Sequence, residues 1–406
     1  MHNEKGSMET PFYTKDFDYT LPEDRIARFP LEQRDQSKLL VFSQGIITDT
    51  LFAQLPEYLH SGSLLVINNS RVIHARLRFT KTTGSTIEIF LLTPHTPGDY
   101  HEALAKRGSC IWQCIIGHLK KWKNEKLTLT FNYNNNTEKL IAEKKSGNSN
   151  HLIQFTYSDN LTFEDVLQHS GAIPLPPYLN RKPVASDHDR YQTIYAAESG
   201  SVAAPTAGLH FTDNVLTRLA EKKINKTEIT LHTGAGTFLP VKAKLITEHR
   251  MHTEYFIVNR KQIKQLQQFQ NKITATGTTT LRCLESLYWI GVKLKTCYKD
   301  LPHHLQQWEY IDLHQNITVD ESFSSIIAYM DNHGLNEFKS STSLMIIPGY
   351  RFRIVNRLIT NFHQPQSTLL MLVAAFTGNR WKDIYLHALQ NGYRFLSYGD
   401  AMLLSS

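Results

Sequence analysis

The sequence predicts an α/β protein in which a large domain is interrupted by a small all-β unit. Between about residues 75 and 158, short runs of alternating apolar and polar residues are separated by Gly, Asn and Lys clusters. This texture is typical of a small β-sandwich or β-barrel. After residue 161, strand-like runs alternate with segments of helical periodicity, and three of the strands lead into turns made of small residues. Ligands of open α/β sheets bind beyond the carboxyl ends of the strands, so these turns mark the expected binding edge.

The first half of the chain is predicted to be mainly β-structure. Residues 62–69 predict a short buried strand that two asparagines terminate. Within the all-β unit, strands are expected at residues 86–92, 111–116, 127–131 and 151–157. The asparagine-rich residues 132–150 are predicted to form an exposed loop.

The second half is predicted to alternate helices and strands. The expected elements, in order, are a helix capped by Thr212, a strand through Ile229 and Leu231, a helix over residues 262–269, a strand that ends in residues 275–280, a helix through Leu281, Leu284 and Leu287, a strand over residues 358–362 and an apolar helix capped by Ser367 and Thr368. Residues 291–343 are polar and lack a clear period. They predict an irregular or partly helical excursion.

Composition places the chain among globular proteins. Its 406 residues are 41% hydrophobic and 20% charged, which argues against disorder. Lys and Arg number 44 against 37 Asp and Glu, a net charge of +7 that permits an anionic partner such as nucleic acid without requiring one. Four cysteines with no C-x-x-C spacing favour a reduced, cytoplasmic compartment. The first thirty residues lack an apolar signal core, and the longest apolar run, residues 369–376, is too short to span a membrane.

Two small-residue segments, each with one histidine, are the strongest candidates for a binding site. Residues 203–211 contain His210, and residues 231–238 contain His232. Small side chains let a ligand approach the backbone amides, and an imidazole beside them could move a proton near neutral pH. We therefore expect the segments to form two walls of one pocket. Tight-turn geometry alone would explain the glycines, but not the repeated histidine. Neither segment matches a Rossmann or P-loop fingerprint.

Further motifs each have a functional and a purely structural interpretation. Arg282 and Glu285 would share a helix face, either to hold a ligand carboxylate or as a surface ion pair. His252 and Glu254 would share a strand face, an arrangement suited to an oriented general base and poor for zinc. Asn361 and His363 precede a Ser/Thr-capped helix. They could help to bind an anion at the start of that helix, or the serine and threonine could simply cap it.

A basic segment in the all-β unit has the same ambiguity. Lys120, Lys121 and Lys123 flank Trp122 at a predicted hairpin turn. Lysines with an interleaved aromatic suit phosphate contact and base stacking. A solvated turn explains them equally simply.

The ordered set of motifs resembles the S-adenosylmethionine:tRNA ribosyltransferase-isomerase family. The matching motifs lie at residues 69–77, 174–178, 191–193, 203–211, 234–238, 248–255, 277–279, 282–286, 348–350, 361–363, 393–395 and 397–402. The resemblance runs from about residue 16 to residue 404. The sequence departs from the family at His74, where proline is common, at Lys120, which lacks the usual neighbouring glycine, and in the longer excursion at residues 291–343.

The resemblance implies a fold and a reaction. The expected fold is a mixed-sheet α/β domain, residues 1–74 and 159–406, interrupted by a small β-barrel, residues 75–158. The implied enzyme transfers the ribosyl part of S-adenosylmethionine to 7-aminomethyl-7-deazaguanine at the wobble position of tRNA, and adenine and methionine leave as the sugar becomes an epoxycyclopentane. S-adenosylmethionine is the co-substrate, no metal is expected, and the partners are tRNAs with a GUN anticodon. A cytoplasmic monomer without membrane attachment is expected.

The resemblance and the chemistry together nominate site residues. Histidine has a reference pKa of about 6.5, which suits both deprotonation beside the sulfonium and activation of the amine. The predicted catalytic residues are His210, His232, His252, Glu254 and Glu285. The predicted substrate-binding residues are Thr206, Ala207, Gly208, Phe211, Gly234, Gly236, Thr237, Phe238, Thr278, Arg282, Asn361, His363, Tyr398 and Asp400. The predicted tRNA contacts are Arg71, Arg76, Lys120, Lys121 and Lys123.

Two other classes of function remain alternatives from the residues alone. A tRNA methyltransferase would use the same cofactor, but a Rossmann-like glycine turn with a following acidic residue is not found in the sequence. An RNA-binding module without activity would need neither the paired histidines nor the Thr-rich turn at residues 275–280.

Overall fold

The protein is described by a computed structural model that covers residues 12–123, 125–145, 151–234, 241, 243–296 and 304–405. The strands are β1 Lys38–Ser43, β2 Ile46–Leu51, β3 Leu64–Asn68, β4 Ser70–Val72, β5 Arg76–Thr80, β6 Thr86–Thr96, β7 Ser109–Gly117, β8 Leu127–Tyr133, β9 Asn136–Lys145, β10 His151–Thr156, β11 Gly171–Ala172, β12 Glu198–Ser201, β13 Asn225–His232, β14 Glu254–Asn259, β15 Ile273–Thr276, β16 His304–Leu305, β17 Glu337–Thr342, β18 Arg357–Asn361 and β19 Ala401–Ser405. The α-helices are α1 Leu55–Tyr58, α2 Tyr100–Ala105, α3 Phe163–Ser170, α4 Asp187–Arg190, α5 Asp213–Glu221, α6 Arg260–Gln268, α7 Thr278–Lys295, α8 Val319–Asn332, α9 Thr368–Thr377 and α10 Trp381–Gln390.

A mixed ten-stranded sheet forms the centre of the large domain. Its order is β16-β17-β14-β13-β3-β15-β18-β19-β1-β2. Strands β13, β3, β15 and β18 are mutually parallel, and Val66 of β3 pairs with both Thr227 of β13 and Ala275 of β15. Their carboxyl ends therefore lie at one edge of the sheet. The turns after β13, β15 and β18 meet there, as the sequence predicts.

Central strand β3 is buried along its whole length because both faces of the sheet are covered. Leu64 and Val66 belong to the core that also contains Leu281 and Leu284 of α7. Leu65 and Ile67 belong to the opposite core, with Val215 and Leu219 of α5 in the same cluster. Successive side chains of β3 enter the two cores in turn. A strand of this kind therefore has an unbroken run of apolar residues rather than an alternation of apolar and polar residues.

The small all-β unit is a curled antiparallel sheet. Its order is β11-β5-β6-β7-β10-β9-β8, and β5 and β8 contact each other across the curl. Trp112, Phe155 and Phe163 fill its separate core. Helix α3 contributes Phe163, Val166 and Leu167 to this core, and Gly171 and Ala172 of β11 pair with β5.

The prediction that residues 132–150 form a loop is wrong for most of this segment. Strands β8 and β9 form a hairpin in which Tyr133 pairs with Asn136. Asn134 and Asn135 make its two-residue turn with φ of 48° and 65°. Asparagine tolerates positive φ, and two such residues form the turn that hairpins prefer. Residues 146–150 lie outside the described part.

Much of the excursion predicted at residues 291–343 is regular structure. Helix α7 continues to Lys295, α8 packs beside α7, and β17 joins the main sheet next to β14. Thr318 and Glu321 form a capping box at the start of α8, a signal that the polar composition of the segment obscured. The close helix contact occurs at Gly291, where a Cβ atom would lie 2.2 Å from Ser322 Oγ.

Outside residues 132–150 and 291–343, the predicted strands and helices are confirmed. Thr212 and Ser367 accept capping hydrogen bonds from Val215 and Leu370, and α5 and α9 begin after them. Within the described residues, no helix combines the length and apolar character needed to cross a membrane.

Candidate active site

A cavity of about 90 Å³ lies at the carboxyl edge of the parallel strands. It is lined by Tyr178, Ala203, Ala204, Pro205, Thr206, Ala207, Thr233, Gly277, Thr278, Thr279, Thr360, Asn361, Phe362, His363, Gln364, Ser367, Leu369, Leu396 and Ser397. Five predicted substrate-binding residues are among them: Thr206, Ala207, Thr278, Asn361 and His363. Both small-residue segments contribute walls, so this part of the prediction agrees with the geometry.

The two imidazoles of those segments do not line this cavity. His210 lies behind Asn361, and its ring borders a smaller cleft with Arg34, Arg394 and Tyr398. His232 stacks on Tyr100 of the all-β unit, with ring centroids 4.3 Å apart. Pleating explains the second case, because adjacent strand residues point to opposite faces and Thr233 takes the cavity side. Neither imidazole therefore faces the cavity beside the amides of its segment, contrary to the expectation from the sequence.

His210 is buried and bonded at both ring nitrogens. Its Nδ1 lies 2.8 Å from Ser37 Oγ, and its Nε2 lies 3.2 Å from Asn361 Nδ2. Burial lowers the pKa of His210 to about 3, and the charges of Arg394 and Arg34 act in the same direction. The ring is therefore neutral at physiological pH.

His363 is the histidine that lines the cavity. Its Nε2 lies 2.9 Å from Thr360 Oγ1, and its backbone N–H donates to Tyr385 Oη at 3.0 Å. Burial lowers its pKa to about 3. A neutral imidazole in this position can donate or accept a hydrogen bond without adding charge.

His252, Glu254 and Arg282 are not among the residues that line the cavity; they form a network in which the carboxylate and the guanidinium are buried. His252 Nε2 lies 3.2 Å from Glu254 Oε1, and Arg282 forms an ion pair with Oε2 of the same carboxylate. Burial raises the pKa of Glu254, but the charge of Arg282 and the contact with His252 outweigh it, so the pKa is lowered. Arg282 follows Thr278 by four residues on α7 and therefore lies about 6 Å further along the helix. The predicted pairing of His252 with Glu254 agrees with this geometry.

His232 occupies the junction between the main sheet and the all-β unit. Only 6% of the residue is exposed, and Nδ1 has no hydrogen-bond partner in the described part of the chain. Burial lowers its pKa to about 4. A Cβ atom on Gly200 would lie 2.5 Å from this nitrogen, so only glycine leaves room for the stacked ring.

Glu285 is a structural anchor rather than a partner of any predicted catalytic histidine. Its carboxylate accepts hydrogen bonds from the backbone N–H groups of residues 353, 354 and 355 and from Tyr350 Oη, at 2.9–3.0 Å. Burial raises its pKa. These bonds hold the segment that leads into β18. The interpretation of Arg282 and Glu285 as an ion pair is also wrong, since Arg282 pairs with Glu254.

Four other predicted binding residues lie outside the cavity lining. Asp400 accepts hydrogen bonds from the N–H groups of Lys38 and Arg394. Tyr398 donates to Asp187 Oδ1 at 2.8 Å, beside the smaller cleft. Phe211 is fully buried in the core with Phe52, and Gly208 packs against Tyr195.

The second small-residue segment is only partly described. Gly234 is half-buried and directly follows Thr233 of the cavity wall. Gly236, Thr237 and Phe238, which were predicted to bind substrate, lie outside the described residues.

Several lining and supporting residues were not predicted. Tyr178 and Ser397 both line the cavity and are hydrogen-bonded to each other, with their hydroxyl oxygens 2.5 Å apart. Both belong to motifs that carry the family resemblance, which was the available signal. Ser37 has no local signal, because its role depends on a partner 173 positions away.

The residues predicted to contact tRNA differ in their exposure to solvent and in the partners they already have. Lys120, Lys121, Lys123 and Arg71 are exposed, whereas Arg76 lies 3.7 Å from the carboxylate of Glu88. Trp122 is buried, donates from Nε1 to the carbonyl of Glu125 and has the Lys144 ammonium over its ring. It is therefore unavailable for base stacking. The segment connects β7 to β8, which are not paired, so the predicted hairpin turn is also wrong.

Comparisons with known proteins point in one direction. A profile described as "Queuosine biosynthesis protein" matches residues 14–404. A curated S-adenosylmethionine:tRNA ribosyltransferase-isomerase from Nitrosococcus oceani is 38% identical over 96% of this chain and 97% of its own length. The enzyme of the same name from Treponema denticola is 36% identical, with 96% and 99% covered. A crystal structure of an S-adenosylmethionine tRNA ribosyltransferase from Thermotoga maritima is 28% identical over 96% of this chain and 99% of that one, with a TM-score of 0.46.

Proposed function

The chain belongs to the queuosine biosynthesis protein family, and from that premise we propose that it acts as an S-adenosylmethionine:tRNA ribosyltransferase-isomerase. The proposed substrates are S-adenosylmethionine and 7-aminomethyl-7-deazaguanine at the wobble position of tRNA. The proposed products are epoxyqueuosine in tRNA, adenine and methionine. The observation that supports the proposal is the small-residue cavity at the carboxyl edge of the parallel strands, lined by Thr206, Ala207, Thr278, Asn361 and His363.

His252 is the proposed general base. A sulfonium acidifies the neighbouring C5′ protons, and the amine of the acceptor base must be neutral to attack. An imidazole held by a carboxylate suits either proton transfer. Glu254 orients the ring, and the side chain of His252 is 20% exposed, so it remains accessible.

Arg282 and the small-residue walls are the proposed binding groups. Arg282 pairs with Glu254 through Nη2, while its buried Nε has no hydrogen-bond partner in the described ranges. We assign this N–H to the carboxylate of the methionine part. Ala207, Thr206 and Thr278 lie where a nucleoside can approach the backbone closely. We assign His363 and Asn361, which both line the cavity, to hydrogen bonds with the nucleoside whose adenine departs.

The proposed partners are tRNAs with a GUN anticodon, and the proposed state is a cytoplasmic monomer. The wobble base has to leave the anticodon stack to reach a cavity of this kind. The net charge of +7 favours association with the phosphate backbone. Lys120, Lys121, Lys123 and Arg71 are the exposed predicted contacts.

The reaction is tested with S-adenosylmethionine labelled in the ribose and tRNA that carries the 7-aminomethyl-7-deazaguanine base. We expect label in the tRNA, with adenine and methionine released in equal amounts. Formation of S-adenosylhomocysteine and a methylated tRNA would make the protein a methyltransferase. Tight tRNA binding without any turnover would favour the RNA-binding alternative.

Replacing Lys120, Lys121 and Lys123 together by alanine should weaken tRNA binding mainly through the salt-dependent contribution. If the three ammonium groups contact phosphates, the slope of log K against log salt should fall by about 2–3. Turnover at saturating tRNA should stay near the wild-type value. Replacing Lys261, Lys264 and Lys272 by alanine is the matched control, because it removes the same charge from exposed positions elsewhere. Equal slopes for the two triple variants would refute the assignment.

A further inference from the structure

The amide group of Asn361 is held in one orientation. Its Nδ2 lies 3.2 Å from His210 Nε2 and 3.4 Å from the carbonyl oxygen of Asp400. A carbonyl oxygen only accepts hydrogen bonds, so the nitrogen of the amide has to face it. The amide oxygen, Oδ1, consequently points away from both partners.

Oδ1 of Asn361 is a buried acceptor without a hydrogen-bond partner within the described ranges of the chain. The residue is 2% exposed, yet it lines the cavity of about 90 Å³. A buried carbonyl that lacks a partner destabilises the folded protein, so such groups are usually bonded in the functional state. A hydrogen-bond donor on a bound ligand would satisfy it.

The hydrogen bonds behind Asn361 determine the tautomer of His210. Because Nε2 accepts from the Asn361 amide, the ring proton resides on Nδ1 and is donated to Ser37 Oγ. Ser37 Oγ in turn donates to the carbonyl oxygen of Arg34 at 3.2 Å. Every proton in this chain of bonds therefore has a defined acceptor.

His210 is poorly suited to exchange a proton with a ligand. Both ring nitrogens are occupied by protein groups, and the residue is 5% exposed. The charged or titratable groups around it are Arg34, Arg190, Arg394 and Tyr398 in the adjacent cleft, and Asp400, whose carboxylate is bonded to Arg394. Burial and the nearby cations both disfavour a positive charge on the ring.

We propose that Ser37 and His210 are positioning residues that orient the Asn361 amide, and that Asn361 Oδ1 accepts a hydrogen bond from the nucleoside of the ligand. The donor is neutral, either the exocyclic amino group of the base or a ribose hydroxyl. This replaces the expectation that His210 transfers a proton. The inference rests on the proposed function for the identity of the nucleoside.

The positioning role is tested by a double-mutant cycle on the dissociation constant of S-adenosylmethionine. His210→Ala and Asn361→Leu should each weaken binding roughly tenfold, the size expected for one hydrogen bond. The double variant should bind as Asn361→Leu does, because His210 acts through Asn361. A double variant about a hundredfold weaker than the wild type would show independent effects and overturn the proposal. If His210→Ala does not fold, Ser37→Ala replaces it in the cycle.

The pH profile separates positioning from proton transfer. The residual kcat/KM of His210→Ala should retain the acid limb of the wild type, since His210 stays neutral throughout. Loss of that limb in the variant would identify His210 as the proton-transfer group and contradict the proposal.

Ligand analogues identify the donor. If the amino group binds Oδ1, the inosine analogue of S-adenosylmethionine should bind the wild type about tenfold more weakly, and Asn361→Leu should bind both equally. If a ribose hydroxyl binds it, the corresponding deoxy analogue should show this pattern instead. Discrimination by neither analogue overturns the inference. If His210 and Asn361 are coupled in the cycle but no epoxyqueuosine forms, only the proposed reaction is refuted. If epoxyqueuosine forms but the two residues are not coupled, only this inference is refuted.

Discussion

Replacing Glu254 by glutamine is expected to cost about 3–5 kcal/mol of folding free energy, because it leaves the Arg282 guanidinium buried without its counter-charge. The two side chains are 2% and 4% exposed, so solvent cannot compensate. Turnover should fall about 10²–10⁴-fold as well, because the carboxylate that orients His252 is lost. Urea unfolding and single-turnover kinetics measure the two effects.

Two further variants separate stability from catalysis in this network. Removing both charges, in Glu254→Gln with Arg282→Met, should recover most of the lost stability but none of the activity. Asp383→Asn is the control, because its pair with Arg380 is exposed at 60% and 52%. That substitution should change stability by less than about 1 kcal/mol. A fully active double variant would show that the network serves folding alone.

Acidification from pH 7 to pH 5 is expected to destabilise the protein by about 6 kcal/mol through three buried histidines. Burial lowers the pKa values of His210 and His363 to about 3 and that of His232 to about 4. The unfolded chain takes up protons below its ordinary histidine pKa of about 6.5, whereas the folded protein does not. Stability is therefore present above pH 6.5 and is lost as the pH falls towards the folded values. Each histidine contributes about 2 kcal/mol at pH 5.

The histidine contribution is checked by urea unfolding at pH 7 and pH 5. His232→Phe keeps a ring stacked on Tyr100 but cannot bind a proton, so the acid-induced loss should shrink by about a third. His333→Gln, at an exposed position, should leave the loss unchanged. An unaltered pH dependence in His232→Phe would show that this histidine is protonated equally in both states.

Local patterns were sufficient for most of the secondary structure. Thr212 and Ser367 cap their helices through bonds to residues three positions on, which is information contained in a few neighbouring side chains. The asparagine pair at residues 134–135 carried the hairpin signal, but the polar composition around it concealed the strand that follows. Thr318 and Glu321 likewise carried a helix signal inside a segment without an apolar period.

The edge of the sheet that carries the cavity also followed from the sequence, because parallel strands place their following turns at one end of a sheet. The direction of each side chain at that edge did not. His232 stacks on Tyr100, which belongs to the all-β unit. The carboxylate of Glu285 accepts hydrogen bonds from backbone amides 68–70 positions away.

His210 shows the physical reason for the difference. Its partners Ser37 and Asn361 are 173 and 151 positions distant along the chain. Helix caps, strand runs and small-residue turns depend on neighbours, so the sequence alone was enough to locate them and the edge of the sheet where the cavity lies. Whether an imidazole at that edge faces a ligand or supports a residue that does depends on long-range packing and burial, which only the tertiary structure decides.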